Sequence, residues 1–355
     1  MKKHALALAI AVAPPALAVP VAALADGPTL YGKLNVTLDS VDTDNAAPTD
    51  DTENWQLNSN ASRIGIKGDA ETGIQGLKGL YYAEFGLDAD EGNPVFSQRN
   101  IYAGLKGGFG TLRLGKIDTP LKDAQGKFDQ FNDYAGDIGR LIGGETRANN
   151  AIHYTSPKLL DGLTVNVAAY PGEGRDIDND DGNANTSDDV ETGIADTLSA
   201  SVAWEKDALY AAVAIDRSND GAGTLDGFTD IDSGTTGSQT VADIVRAVVV
   251  YKADAFEAGA LYQTAADVSQ DSDREDSGWL VSGAYKNGPW KLKAQYGVNE
   301  GDVTERERTL TALGADYALG KSTTITGYWT EVDNDPQATG RPVTTTIGIG
   351  LDQKF

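Results

Sequence analysis

Cysteine is absent from this chain of 355 residues. The fold therefore has no disulfide to lean on, and no thiol is present to act as a nucleophile. Histidine is nearly absent as well, with two in all, and one of them, His4, lies in a segment that should be removed. A lone His153 without an acid–base partner in an evident motif is a packing or lumen residue rather than a catalyst. G-x-S-x-G, H-E-x-x-H and phosphate-binding glycine loops are all missing. These gaps leave no basis for an enzyme, a cofactor or a metal centre.

Positive charge is scarce. Lysine and arginine number 29 against 53 acids, for a formal charge of −24. Nucleic acid needs a basic face, so it is excluded as a partner. Simple adhesion to anionic lipid is disfavoured on the same ground. Finally, no run of about 18 apolar residues follows the first 25 positions, which excludes helical membrane spans. A membrane β-barrel survives that test, because its strands need only about 9–11 residues of alternating character.

What is present begins with an export signal. Lys2 and Lys3 precede a short apolar core, Ala5 to Val12, and Ala23-Leu24-Ala25 has the small-residue form of a cleavage site. The expected mature chain is 26–355. Losing 1–25, with two lysines and no acid, moves the formal charge from −24 to −26.

Beyond the signal, alternation recurs throughout. Leu30, Leu34, Val36 and Leu38 share one parity and Tyr31, Lys33, Asn35, Thr37 and Asp39 the other. Trp290, Leu292, Ala294, Tyr296 and Val298 alternate with Lys291, Lys293, Gln295, Gly297 and Asn299. The last residues do the same: Val343, Ile347, Ile349, Leu351 and Phe355 oppose Thr344, Thr346, Gly348, Gly350, Asp352 and Lys354. A strand puts alternate side chains on opposite faces. About sixteen such segments fit, centred near Leu34, Ile64, Tyr82, Tyr102, Arg113, His153, Val167, Val202, Val213, Val248, Gly259, Leu280, Ala294, Leu313, Thr326 and Ile349. Those at Tyr102 and Leu280 alternate poorly. Short turn-rich connections take turns with long acidic ones, such as 171–196 and 217–240. That rhythm predicts an all-β, antiparallel transmembrane barrel, closed because backbone groups in lipid find no water. A secreted acidic β-protein such as an adhesin is the alternative from another class.

Four blocks, TLYGKLNVTLD (29–39), SRIGIKGDAETGIQGLKGLYYAEFGLD (62–88), RNIYAGLKGGFGTLRLGKIDTP (99–120) and RANNAIHYTSP (147–157), resemble the general diffusion porins of Gram-negative outer membranes. With the terminal Phe355 they fall in that family's order. The resemblance implies a homotrimer of sixteen-stranded barrels, each passing small hydrophilic solutes and ions without energy coupling. It also implies a third loop, here 118–146, folded inward as a constriction. That loop carries Asp123, Asp129, Asp133, Asp137 and Glu145, set by the resemblance against a basic wall of Lys33, Arg63, Arg99, Arg113 and Arg147. Surrounding lipopolysaccharide and the barrel assembly machinery, which would read the strand ending in Phe355, are the implied partners. A substrate-biased channel for sugars, phosphate or amino acids is the alternative within this architecture, with Lys291 and Lys293 as a candidate anion site.

Three further expectations come from composition. The acidic exterior suggests a cation preference. Aromatics near strand ends, among them Tyr81, Tyr82, Phe85, Tyr102, Trp204, Trp290, Tyr317, Tyr328 and Phe355, suit interfacial girdles. The acidic run 176–191 does not match a calcium-loop register, because Gly182 falls one place off. It reads as a solvated loop whose carboxylates could bridge lipid phosphates through divalent ions.

Overall fold

The computed structural model describes residues 27–44, 51–90, 96–173, 175–176, 190–191, 193–218, 228–229, 239–240, 242–268, 274–302, 307–334 and 342–355. The signal segment and most of the acidic run 176–191 lie outside the described residues.

The chain rises as β1 (Thr29–Asp44) and returns as β2, which has two pieces, Thr52–Ser59 and Arg63–Glu71. Both pieces pair with β1, one with each half, so they count as one strand. Next come β3 (Lys78–Leu87), β4 (Phe96–Gly107), β5 (Gly110–Asp118), β6 (Arg147–Thr155), β7 (Leu163–Tyr170) and β8 (Thr197–Lys206). β9 (Leu209–Arg217), β10 (Ala242–Lys252), β11 (Phe256–Asp267) and β12 (Glu275–Asn287) continue the meander. β13 (Trp290–Gly301), β14 (Glu307–Ala318), β15 (Thr323–Asn334) and β16 (Val343–Lys354) complete it. Every pairing is antiparallel and joins neighbours in sequence. β16 then pairs with β1 from Lys33↔Lys354 to Asp44↔Val343, closing a barrel of sixteen strands. Phe355 exchanges both backbone hydrogen bonds with Gly32, at 2.9 and 3.0 Å. All sixteen sequence-predicted centres fall inside strands.

Alternation decides which face looks out, and the sense is inverted relative to a water-soluble protein. Ile347 and Ile349 are 59% exposed and Leu38 44%. Their opposite-parity neighbours Asn35, Thr37 and Asp39 are buried. An apolar outside and a polar inside suit lipid around and water within. Replacing Ile349 by Arg should therefore cost about 2–4 kcal/mol if it sits near mid-membrane. The urea midpoint of protein refolded into vesicles reads this, and an unchanged midpoint would show that the face does not meet lipid.

Rim aromatics pair across strands. Phe256 lies 4.8 Å from Tyr285, and Trp290 4.7 Å from Tyr317, all next to short turns. Tyr82, Tyr102 and Tyr328 depart from the girdle expectation. Tyr82 and Tyr102 stack at 5.1 Å on the inner face, and Tyr328 is buried with its hydroxyl on Asp39 at 2.7 Å. The Tyr82 and Tyr328 hydroxyls gain polar partners inside, Glu84 and Asp39, that lipid would deny them.

Poor alternation at β12 has a physical cause. Leu280 is fully buried on the inner face, while Trp279 and Val281 are exposed outside. β10 is the same, with Ile244, Val248 and Val250 buried inside and Val245, Val249 and Tyr251 exposed. Both faces of these strands are apolar because something apolar covers the inner one.

Candidate functional site: the inner segment and the charges around it

That cover is the stretch between β5 and β6. Asp118 and Arg147, the strand residues at its two ends, are register partners and form an ion pair at 3.1 Å. Thr119 caps a single helical turn, α1 (Pro120–Asp123), its hydroxyl accepting from the Lys122 N–H at 3.1 Å. Proline at the first helical position suits the turn, since its missing N–H would have no helical partner. α1 places Leu121 and Ala124 against Ala212, Ala214, Ile244 and Ala265 of the wall. Ser199 Oγ accepts from the Leu121 N–H at 3.2 Å, and the Tyr210 hydroxyl donates to the Ala124 carbonyl at 2.9 Å.

The segment then follows the inner wall toward β15. Phe128 lies over Gly259, where a β-carbon would stand 2.7 Å from its ring, so glycine there makes the room. The Ser282 hydroxyl donates to the Phe128 carbonyl at 2.7 Å. Phe131 is buried with Ala312 and Tyr328. The return limb passes through a 3-10 turn, Ile138–Arg140, and buries Ile138, Leu141 and Ile142 with Val248, Leu261, Leu280 and Leu310. Gly297 receives Leu141, whose nearest carbon would be 2.7 Å from an added β-carbon. Burying this many large apolar side chains outweighs the cost of ordering a long segment.

Arg246 fastens the end of that limb. It is fully buried on β10. It donates to Glu145 Oε1 at 2.7 Å, to the Gly143 carbonyl at 2.8 Å and to Gln263 Oε1 at 2.8 Å. Nothing in the sequence reading singled it out, although an arginine inside IVRAVVVY with inward parity was a signal that could have.

The five predicted loop acids play different parts. Asp133 alone meets the predicted wall, at 3.0 Å from Lys33 Nζ and 3.9 Å from Arg63. Asp123 and Asp129 open on the cavity described below. Asp129 also accepts the Phe131 and Ile138 N–H groups at 2.8 and 3.1 Å. Asp137 and Glu145 do not face that cavity. Asp137 caps the 3-10 turn, accepting from Gly139 N and Asp133 N at 2.7 and 2.8 Å. Glu145 is taken up by Arg246 and by Gln125 Nε2 at 2.8 Å. Their carboxylates were needed to hold the segment's own shape, a demand invisible without its path.

The predicted basic residues also divide. Arg99 pairs with Glu84 at 2.7 Å, and Arg63 with the same carboxylate at 3.9 Å. Glu84, missed by the sequence reading, further accepts from the Tyr31 hydroxyl at 2.8 Å. Arg147 is held by Asp118, as above. Arg113 does point inward: its guanidinium meets His153 at 2.8 Å and lies over the Tyr102 ring, and its charge reaches Asp123 without forming an ion pair. It lies five residues from Asp118 along β5, about 17 Å in an extended chain.

Between the inner segment and the remaining wall lies a cavity of about 490 Å³. Its lining carries seven basic side chains, Arg99, Lys122, Lys127, Arg147, Lys252, Lys286 and Lys291, and five acids, Asp118, Asp123, Asp129, Asp133 and Glu257. The local sum is +2, opposite in sign to the whole chain. Lys252, Lys286 and Lys291 share one carboxylate, Glu257, at 2.9, 2.6 and 3.9 Å. Lys293 is not free for an anion, because Asp316 neutralises it at 2.9 Å. Enclosure within the barrel raises the Asp123 carboxyl to about 7 although its side chain is exposed to the lumen, with the charge of Asp118 adding and Arg113 and Lys122 opposing. Burial and the charge of Asp137 likewise raise Asp129.

The family model for the Gram-negative porin matches residues 5–337. This chain belongs to the Gram-negative porin family. Among curated relatives, the porin is 35% identical over 177 residues to the major outer membrane protein P.IB of Neisseria meningitidis serogroup B, covering 47% of this chain and 49% of that one. It spans about half the length of that relative. A full-length match, covering 100% of both chains at 25% identity, is to the P.IB protein of Neisseria sicca. Solved structures agree on the fold. The anion-selective porin from Comamonas acidovorans superposes with a TM-score of 0.71 at 20% identity, covering 93% of this chain and 99% of that one. OmpT of Vibrio cholerae in its trimer form gives 0.66 at 19%, with the same coverage. The porin's place is the outer membrane.

Proposed function

We propose that this porin is a passive, water-filled channel for small hydrophilic solutes and ions, with the 118–146 segment as its constriction. One observation carries the reading. A barrel with an apolar outside holds a charged, water-accessible cavity of about 490 Å³ beside an inner segment packed along its wall. Fixed charges beside a narrow passage bias which ions cross, and its width limits their size. No energy-coupling element is needed, so flux follows the gradient.

The sign of that bias is where the geometry departs from the composition. The acidic loops suggested cation preference, yet the lining of the cavity beside the inner segment sums to +2. The porin is therefore read as favouring anions, which keeps the anion-biased alternative alive around Lys252, Lys286 and Lys291. Protein in planar bilayers under a salt gradient tests this. The expected reversal potential has the anion sign and grows from pH 8 to pH 6, as Asp123 takes up a proton near pH 7. Absence of conductance would overturn the channel, and a cation sign would overturn the preference.

A homotrimer fits the exposed apolar surface around β16 and β1 and the trimer form of the OmpT relative in fold. Lipopolysaccharide is the expected neighbour of the long acidic connections. The assembly machinery would meet β16, whose terminal Phe355 is 58% exposed.

A further inference from the structure

Where α1 meets the wall, a group of oxygen atoms is buried without partners. The Asp216 carboxylate is 2% exposed, and beyond the neighbouring Ser199 hydroxyl no partner meets its oxygens. The hydroxyls of Tyr170, Thr197 and Ser218 have no hydrogen bond, at 0%, 1% and 9% exposure. Strand register brings the four together. Tyr170 on β7 is opposite Thr197 on β8, and Ser199 on β8 is opposite Asp216 on β9. Ser218, just past the end of β9, continues that register to stand beside Thr197. Facing residues on paired strands put their β-carbons about 5 Å apart, and diagonal ones about 7–8 Å. Asp216 is also the charge that acts most strongly on the Tyr170 phenol, ahead of Asp123 and Asp118.

Neighbouring groups do not satisfy these atoms. Ser199 Oγ accepts from the Leu121 N–H, and its own hydroxyl, which acts on Asp216, leaves at least one carboxylate oxygen and the three other hydroxyls without a partner. Arg246, the nearest cation, is engaged by Glu145, Gln263 and Gly143. Asp243 lies at the outer edge, accepting from the Ser218 N–H at 2.9 Å. A buried carboxylate with no counter-charge is among the most costly arrangements in a folded protein.

We propose that Tyr170, Thr197, Asp216 and Ser218 bind one monovalent alkali cation, which ties the start of the inner segment to the β7–β9 wall. The donor set is all oxygen, which selects hard ions. It carries one negative charge, which a monovalent ion cancels and a divalent ion would overshoot. Calcium sites recruit several carboxylates, and no group of three or more acids, histidines or cysteines is placed to hold a metal among the described residues. The position of the ion, behind α1, makes it a pin for the segment, separate from ions in transit. The inference stands apart from the channel reading, since it concerns a buried bond and not flux.

Crystals of the detergent-extracted porin grown in rubidium chloride test it directly. An anomalous peak at the Asp216 carboxylate is expected, with none in Asp216→Asn. Alongside, the temperature at which the barrel loses its heat-modifiable gel migration is compared in sodium chloride and in N-methylglucamine chloride of equal ionic strength. The native protein should melt higher in sodium. Asp216→Asn and the milder Ser218→Ala should lose that difference or shrink it, while Asp243→Asn keeps it. A peak explained by water alone, or a sodium effect that survives in Asp216→Asn, would overturn the proposal.

Discussion

Arg246→Met should loosen the inner segment proposed as the constriction, lowering stability by about 3–5 kcal/mol and making single-channel currents larger and noisier. Methionine fills much of the arginine's volume, so the change is chiefly electrostatic. The native guanidinium is fully buried and is bound by the Glu145 carboxylate, the Gly143 carbonyl and Gln263. Removing it strands Glu145 with Gln125 as its remaining side-chain hydrogen-bond donor. A buried charge deprived of its partner costs far more than the pair is worth as a net contribution. The return limb then has a reason to leave the wall, carrying Glu145 toward water. The companion Glu145→Gln leaves the fully buried guanidinium without its counter-charge and should cost a similar amount alone, while Arg246→Met with Glu145→Gln should recover part of the loss, because no orphan charge remains. A thermal or urea melt of the four proteins closes the cycle. Additive effects would mean that the two side chains are not coupled. Unchanged currents would mean that the clasp does not hold the passage in shape.

The second large effect concerns which ions pass. Lys286→Glu with Lys291→Glu should reverse the sign of the reversal potential. Each exchange shifts the lining by two charges, so the pair takes the cavity from +2 to −2. Lys252 remains at 2.9 Å to neutralise Glu257, which limits like-charge strain among the new acids. Both side chains are partly exposed to the lumen, at 41% and 28%, so the barrel itself should tolerate the change. The conductance of the variant in symmetric salt should stay near native, since the passage keeps its width. An anion preference that survives both substitutions would move the selecting charges elsewhere, with Lys127 and the Arg99–Arg147 side of the cavity next in line.

Much of this was readable in the chain. Alternation at Leu30–Asp39 and Val343–Phe355 assigned inside and outside correctly, because a strand's period of two is a local property. The sixteen centres held for the same reason. The segment 118–146 and the basic residues Lys33, Arg63, Arg99 and Arg147 came from the resemblance carried by the four blocks, and of the predicted loop acids Asp133 reaches that wall, at Lys33 and Arg63. Legibility failed where a residue's role depends on what crosses over it. β10 and β12 lost their alternation because Leu121, Ile142 and Leu141 lie on their inner faces, many positions away in sequence. Asp137 and Glu145 looked like pore acids and proved to be a cap and half of a clasp. Glu84 passed unnoticed although it gathers Arg63, Arg99 and Tyr31.

The strand pattern, the inverted barrel and the membrane as solvent thus follow from local order along the chain, since each depends on neighbours two residues apart. The sign of the passage, the clasp at Arg246 and the oxygen pocket at Asp216 belong to the tertiary structure alone. Charge acts through space, and only the folded path of one inner segment decides which carboxylates are consumed by it and which lysines are left to face the water.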